Sequence, residues 1–130
     1  MSRVYEDDHL FIEVQNSHIP WLKVFTKKVY KEFSEVPLKV KLQILSKLDT
    51  IEREMLSFFN PAKINIASFG NELPHVHFHI MARFEDDGYF PNPIWGEKLG
   101  ETKDYTTNMD RFLESLEPKL EPMVLEEEDD

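Results

Sequence analysis

The run PHVHFHIMAR, residues Pro74–Arg83, alternates between histidine and apolar residues, and this period constrains the fold more than any other feature of the chain. It contains three of the five histidines. Because successive side chains of a β-strand point to opposite faces, the run predicts a strand with His75, His77 and His79 on one face and apolar residues on the other. A slip of one residue would bury three imidazoles, so the register is strongly determined.

A second segment has the period of a helix. Between Leu38 and Phe59, apolar residues recur mostly at spacings of three and four, which predicts an amphipathic helix of about six turns. Proline is tolerated in the first helical turn, so Val36-Pro37 marks the start, and Asn60-Pro61 marks the end. The predicted apolar stripe comprises Leu38, Leu42, Leu45, Leu48, Ile51, Met55, Phe58 and Phe59.

Three other segments read as strands because they are rich in β-branched and aromatic residues or alternate in polarity. His9–Val14 and Pro20–Thr26 are separated by Gln15–Ile19, a gap that suits a hairpin. Lys63–Phe69 alternates as a strand and ends at the turn residues Gly70-Asn71. The sheet that these segments form with the histidine strand is therefore expected to be antiparallel.

The chain beyond the histidines is predicted to contain a loop and a shorter helix. Asp86–Pro93 is a loop by composition, and Tyr105–Leu116 is an amphipathic helix with Thr106 or Asp104 as its cap. Its buried stripe is predicted to be Tyr105, Met109, Phe112, Leu113 and Leu116. Strands and helices do not alternate strictly, which indicates the α+β class: an antiparallel sheet with one long packed helix and a shorter C-terminal helix.

Length, charge and composition limit the classes of function. We expect a single domain over residues 1–120 and a disordered acidic tail over residues 121–130. With 15 basic against 25 acidic residues, the net charge of −10 argues against nucleic-acid binding through phosphate neutralisation. The chain has no apolar run long enough to span a membrane, no signal-like N-terminus and no cysteine, so we expect a cytoplasmic protein without membrane partners.

Chemistry alone allows three interpretations of the histidine row. It is the polar outer face of a strand, a metal site or a nucleophilic centre. His75 and His79 lie roughly 13 Å apart at about 3.3 Å per residue, so only one adjacent pair can ligate a single zinc ion and another ligand must come from elsewhere. Alternatively, a neutral imidazole attacks phosphorus when an acceptor holds its other nitrogen, and a neighbouring imidazole assists the leaving group.

The sequence HVHFHIM (His75–Met81) resembles the histidine-triad pattern, in which three histidines alternate with apolar residues. The surrounding KINIASFGNELPHVHFHIMARF resembles the strand–turn–strand core of bacterial members. FEDDGYFPNPIWG (Phe84–Gly96) resembles the segment that follows this core in one proteobacterial branch. The long helix and two preceding strands occur in the expected order. The chain is therefore identified as a member of the histidine triad (HIT) family of nucleotide hydrolases and transferases.

This resemblance implies cleavage at the α-phosphate of nucleoside phosphoanhydrides or phosphoramidates, such as dinucleoside polyphosphates or adenosine phosphoramidates. By similarity, His77 is the nucleophile that carries a transient nucleotidyl group, and His79 and His75 orient it and contact phosphate oxygens. Asn65 and Asn71 match positions where the family often has amides that contact ribose or phosphate. The resemblance also implies a homodimer. We expect no obligatory cofactor and no protein-bound metal, with Mg²⁺ accompanying only a polyphosphate substrate.

Two departures from the family pattern leave alternatives open. Val29 stands where many members have a further histidine, and Ala82 stands where the family often has proline before the following arginine. A non-catalytic nucleotide-binding module of the same fold is therefore the main alternative, with a His-ligated metal enzyme as another. Asn71 follows a glycine, so a turn role competes with a phosphate role. Trp21 and Trp95 are expected to be packing residues.

Overall fold

A computed structural model describes residues 3–122 of the chain. Its centre is a five-stranded sheet in the order β1-β2-β3-β5-β4, with every neighbouring pair antiparallel. The strands are β1 (Arg3–Glu6), β2 (Leu10–Val14), β3 (Trp21–Thr26), β4 (Lys63–Ala67) and β5 (His77–Arg83). The helices are α1 (Leu38–Phe59) and α2 (Met109–Leu116). The predicted α+β class is confirmed, with its antiparallel sheet, long helix and shorter C-terminal helix.

Helix α1 has the predicted bounds because both of its ends carry residues suited to them. Pro37 stands at the N-cap, where a missing backbone N–H costs nothing. Asn60 adopts a left-handed conformation with φ of 48°, which asparagine tolerates better than most residues, and its N–H donates to the Leu56 carbonyl. Pro61 then prevents the helix from continuing.

The predicted apolar stripe of α1 is partly wrong. Leu38 and Leu45 are 70% and 61% exposed, whereas residues outside the predicted stripe are buried. The buried positions are Val40, Gln43, Ile44, Lys47, Leu48, Ile51, Glu54 and Met55. The helix therefore has two apolar faces, and sequence periodicity did not separate the face that packs on the sheet from the face that remains exposed.

The two faces of the sheet have different roles. On one face, buried residues such as Leu22, Val24 and Ile80 form the hydrophobic core with α1 and with Phe112 of α2. On the other face, β5 presents His77, His79, Met81 and Arg83, since alternate residues share a face. Each has a partner on β3 or β4 in an antiparallel register, and this face carries the candidate site.

Several predicted boundaries differ from the structure. The first strand, β1, was not predicted, because its four residues are only partly buried and pair at the sheet edge. The histidine strand begins at His77 instead of His75, and α2 begins at Met109 instead of Tyr105. Asp104 accepts a hydrogen bond from the Thr106 N–H in a turn before α2, while Asn108 occupies the N-cap without a side-chain bond, so both predicted caps are wrong.

Two short 3₁₀ segments, Phe33–Glu35 and Glu117–Lys119, flank the two helices. Between residues 3 and 122, no helix has the length and apolar character needed to cross a bilayer. Most of the predicted acidic tail, from residue 123 onward, lies outside the described residues.

Candidate active site

Cross-strand rows organise the histidine face of the sheet. In register, His77 lies opposite Phe25, His79 opposite Lys23, and Met81 opposite Trp21, all on β3. Side chains directly opposite each other share a face, and diagonal neighbours two residues along are within reach when one is aromatic. The sheet therefore places two histidines beside two aromatic residues and one lysine.

His77 is held in a single tautomer by the backbone. Its Nδ1 lies 2.6 Å from the carbonyl oxygen of His75, and because a carbonyl oxygen only accepts, Nδ1 carries the proton and donates. The other ring nitrogen, Nε2, therefore keeps its lone pair. The ring is 8% exposed and stacks on Phe25 with centroids 4.7 Å apart, so its orientation is fixed by packing as well. This is the form of imidazole that acts as a nucleophile.

His75 differs from the other two histidines because it precedes β5. Its Nε2 donates to the Thr26 carbonyl at 2.6 Å, and its ring packs edge-on against Phe25. Its own carbonyl accepts the His77 proton. His75 thus contributes its backbone to the orientation of His77, and it lies just before the strand in which the alternation predicted it.

His79 has a side-chain partner on another strand. Trp21 Nε1 lies 3.0 Å from His79 Nδ1, and an indole N–H only donates, so Nδ1 is unprotonated and the proton of the neutral ring resides on Nε2. The pKa of His79 is lowered to about 4, first because burial disfavours the charged ring and then because His77 and Lys23 contribute positive charge. His79 is therefore a neutral hydrogen-bond donor at physiological pH.

The loop after β5 is fastened to the histidine face by a buried ion pair. Arg83 and Asp87 are 1% and 0% exposed, and Arg83 Nε donates to Asp87 at 2.8 Å. Arg83 also donates to the Asn92 carbonyl at 2.7 Å. Burial alone would raise the pKa of Asp87, but Arg83 and three backbone N–H groups lower it to about 2. The charged pair holds the loop against the sheet.

This loop carries Trp95 over the histidines. The Trp95 ring packs edge-on against His79, with centroids 5.0 Å apart, and against Trp21 at 5.3 Å. Phe69, which follows β4, also packs edge-on against Trp95, with ring centroids 4.9 Å apart. The prediction that the two tryptophans only pack was therefore incomplete: Trp21 hydrogen-bonds His79 and Trp95 forms a wall of the site. Trp21 and His79 are 58 positions apart in the sequence, so their contact became visible only from the pairing of β3 with β5.

A pocket of about 500 Å³ opens beside the two strand histidines. Its lining includes His77, His79, Lys23, Phe25, Asn71 and Trp95. Mixed apolar walls with a few convergent polar groups are typical of small-molecule sites. Within residues 3–122, no group of three or more histidine, aspartate or glutamate side chains is arranged to hold a metal ion.

The other residues singled out in the sequence lie at different distances from this pocket. Asn71 lines it. Asn65 lies opposite Met81 on β4, accepts a hydrogen bond from Arg83 Nη1 at 2.9 Å and borders a separate pocket beyond Trp95. Val29 is 68% exposed. His77, His79, Lys23 and Asn71 therefore line one pocket, whereas Asn65 borders a second pocket, and Trp95 lines both.

Comparison with known proteins identifies the family. Residues 1–86 match the family model of the HIT domain. An uncharacterized HIT-like protein of Methanocaldococcus jannaschii is 30% identical over 125 residues, which cover 87% of this chain and 86% of that protein. The chain belongs to the HIT family.

Solved structures are similar in fold to this HIT-family chain. A histidine triad protein from Bradyrhizobium japonicum has a TM-score of 0.76 and 24% identity, covering 92% of this chain and 90% of that one. Another from Marinobacter aquaeolei has a TM-score of 0.77 and 22% identity, with the same coverages of 92% and 90%. The HIT-domain match ends at residue 86, so the loop that carries Trp95 lies beyond it.

Proposed function

We propose that this HIT-family protein is a nucleotide hydrolase or transferase that cleaves at the α-phosphate of nucleoside phosphoanhydrides or phosphoramidates through a nucleotidyl-histidine intermediate on His77. One observation carries the proposal: the His75 carbonyl holds the Nδ1 proton of His77 and leaves Nε2 with its lone pair in a ring that lines the pocket. Substrates of the proposed class include dinucleoside polyphosphates and adenosine phosphoramidates.

The proposed reaction has two displacements at phosphorus. In the first, the Nε2 lone pair of His77 forms a bond to the α-phosphorus, and the bond to the leaving group breaks with its electron pair on the departing atom. When the substrate is a phosphoramidate, the departing nitrogen takes up a proton from solvent. The ring gains positive charge, which the His75 carbonyl stabilises through Nδ1–H. In the second, water attacks the same phosphorus, the electron pair of the N–P bond returns to the ring, and the proton of the water is released to solvent.

Charge and hydrogen bonding in the pocket support an anionic substrate. The molecule carries a net charge of −10, yet Lys23 lines the pocket directly opposite His79. The Nε2–H of neutral His79 supplies a donor for a phosphate oxygen, and such preorganised donors stabilise charge that develops in a transition state. In this scheme Asn71 also donates to phosphate, and Asn65 contacts ribose or phosphate only of a substrate that extends past Trp95 into the neighbouring pocket. No obligatory cofactor or protein-bound metal takes part, and Mg²⁺ arrives only with a polyphosphate.

Replacement of the nucleophile tests the function. We expect His77→Asn and His77→Ala to lower kcat/KM by at least about 10³-fold on a panel of dinucleoside polyphosphates and adenosine phosphoramidates, because the covalent step is lost. A rapid quench in alkali, where nucleotidyl-imidazole survives, should reveal an adduct on wild-type His77 by intact-mass spectrometry and none in the variants. His9→Asn is the matched control, since the His9 backbone belongs to a turn that lies before β2.

Two results would count against this function. Wild-type turnover by the His77 variants would remove His77 as the nucleophile. Tight binding of AMP or GMP in calorimetry, with no turnover of any substrate in the panel by the wild-type protein, would instead favour the non-catalytic nucleotide-binding module. The exposed Val29, at the position where many family members have a histidine, is the observation that favours this second function.

A further inference from the structure

We propose that Trp21 is a positioning residue that keeps His79 in the neutral Nε2–H tautomer, so that His79 presents a hydrogen-bond donor to the substrate phosphate. The proposal rests on the proposed function for its consequence in catalysis. Its structural part, the tautomer of His79, is independent of any activity.

The geometry makes Trp21 Nε1 the hydrogen-bond donor and His79 Nδ1 the acceptor. Trp21 lies on β3 opposite Met81 and reaches diagonally to His79, with the two rings edge to face and their centroids 5.6 Å apart. The indole Nε1–H is a donor without acceptor capacity, and it lies 3.0 Å from His79 Nδ1. Trp21 is itself only 8% exposed, so the donor is fixed by packing. A proton on Nδ1 would face this N–H and lose the bond.

The same bond opposes protonation of His79, because imidazolium has no lone pair with which to accept it. Burial of His79 and the charges of His77 and Lys23 act in the same direction. Glu72, in the loop that borders the pocket, is the acidic residue in the lining of this pocket. Trp21 differs from these groups because it determines which nitrogen carries the proton as well as whether the ring is charged.

Trp95 provides a matched control within the same site. Its ring also packs edge-on against His79, with centroids 5.0 Å apart, but the contact is between rings and does not involve a hydrogen bond to Nδ1. A Trp95→Phe variant therefore removes a similar aromatic surface and leaves the Trp21 donor in place. The comparison of Trp21→Phe with Trp95→Phe therefore separates the effect of the hydrogen bond on His79 from the effect of aromatic packing.

The test is nitrogen-15 NMR of imidazole-labelled protein between about pH 8 and about pH 3.5, a range that spans both the ordinary pKa of histidine and the lowered pKa of His79, which is about 4. In the wild type and in Trp95→Phe, we expect His79 Nδ1 to be unprotonated and Nε2 protonated. In Trp21→Phe, we expect a mixture of tautomers and a titration midpoint moved upward by about half to one pH unit, the equivalent of one hydrogen bond. Benzothienylalanine at position 21, which keeps the ring size without the N–H, should behave like Trp21→Phe even if phenylalanine disturbs packing.

The kinetic comparison then links the tautomer to turnover. We expect Trp21→Phe to lower kcat about three- to tenfold with a smaller change in KM, and Trp95→Phe to affect mainly KM. A wild-type His79 protonated on Nδ1, or a tautomer that is unchanged in both position-21 variants, would overturn the proposal. If the wild type lacks turnover while the spectra change as expected, the proposed function fails and the role of Trp21 in setting the tautomer stands.

Discussion

His75 and His77 are held by backbone carbonyls, whereas His79 is held by the side chain of Trp21. A ring nitrogen that contacts a carbonyl oxygen must carry a proton in order to donate, whereas the ring nitrogen that contacts the indole N–H must be unprotonated in order to accept. The result is a ring with a free lone pair at His77 beside a ring with a free N–H at His79, with centroids 5.0 Å apart. Two identical side chains therefore acquire complementary roles from their partners.

The lowered pKa of His79 predicts a pH dependence of stability. The folded chain resists protonation of His79 down to about pH 4, whereas the unfolded chain takes up the proton near the ordinary pKa of 6.5. The unfolded state thus binds more protons in this interval, so the free energy of unfolding should fall as pH decreases from about 6.5 towards about 4.

Urea unfolding of the wild type and of His79→Gln at several pH values measures this effect. Glutamine retains an acceptor for Trp21 but does not titrate. In His79→Gln, the free energy of unfolding should therefore lose the part of its pH dependence that arises from His79. Near pH 8, the difference between the free energies of unfolding of the two proteins reports packing alone, and this difference serves as the reference. If the free energies of unfolding of the two proteins changed in parallel over the whole pH range, the prediction would be contradicted.

At the scale of elements, the loop over the histidine face depends on one anchor. Arg83 is the last residue of β5 and shares its face with the histidines, and its guanidinium reaches Asn65, Asp87 and the Asn92 carbonyl. Asp87 in turn accepts from the backbone N–H groups of residues 84, 89 and 90. The pair therefore links β4, β5 and the loop that positions Trp95.

Asp87→Asn is expected to destabilise the protein by about 3 kcal/mol, because the buried Arg83 loses its counter-charge. Urea unfolding measures the loss, and stronger acrylamide quenching of tryptophan fluorescence would report release of Trp95. Asp49→Asn is the matched control, since Asp49 forms an ion pair of the same i,i+4 spacing with Arg53 on the exposed surface of α1. Its effect should be within experimental error, and equal losses in the two variants would contradict the assigned role of the anchor.

At the scale of the molecule, an apolar surface continues from α1 to the sheet edge. Leu45 and Leu56 are 61% and 46% exposed, and Ile66 on the edge strand β4 is 46% exposed. Glu52, on the helix face shared by both leucines, borders a pocket together with β4 residues. An unpaired edge strand beside exposed leucines is typical of an interface, and we propose that a second copy of the chain covers it, giving a homodimer.

Leu45→Lys and Ile66→Lys should each shift this dimer towards the monomer, because a lysine in an apolar interface must be desolvated. Light scattering coupled to size-exclusion chromatography at several concentrations measures the mass, with the wild type expected at twice the chain mass. Leu99→Lys is the control, since Leu99 is 56% exposed on a loop after the sheet. A monomeric wild type would refute the proposed dimer.

Local patterns were sufficient for the elements with a strong period. Helix α1 was predicted with its observed bounds, because proline and asparagine at its ends act on the backbone of their immediate neighbours. The alternation of HVHFHIM correctly placed His77 and His79 on one face and Ile80 in the core. Such inferences succeed because a strand or helix period is a property of neighbouring residues.

Only the tertiary structure decided how the site works. The sequence alone determined that the chain has an α+β pattern and an imidazole-rich strand, and its resemblance to the HIT family indicated the central histidine. The bond from Trp21 to His79 joins residues 58 positions apart, and the register of β3 on β5 brings them together. Arg83 lies at the end of the predicted histidine strand and Asp87 in the predicted loop, and nothing in the sequence pattern indicated that they form a buried ion pair. Tautomer, burial and pKa depend on partners from other strands, and local period carries no information about those partners.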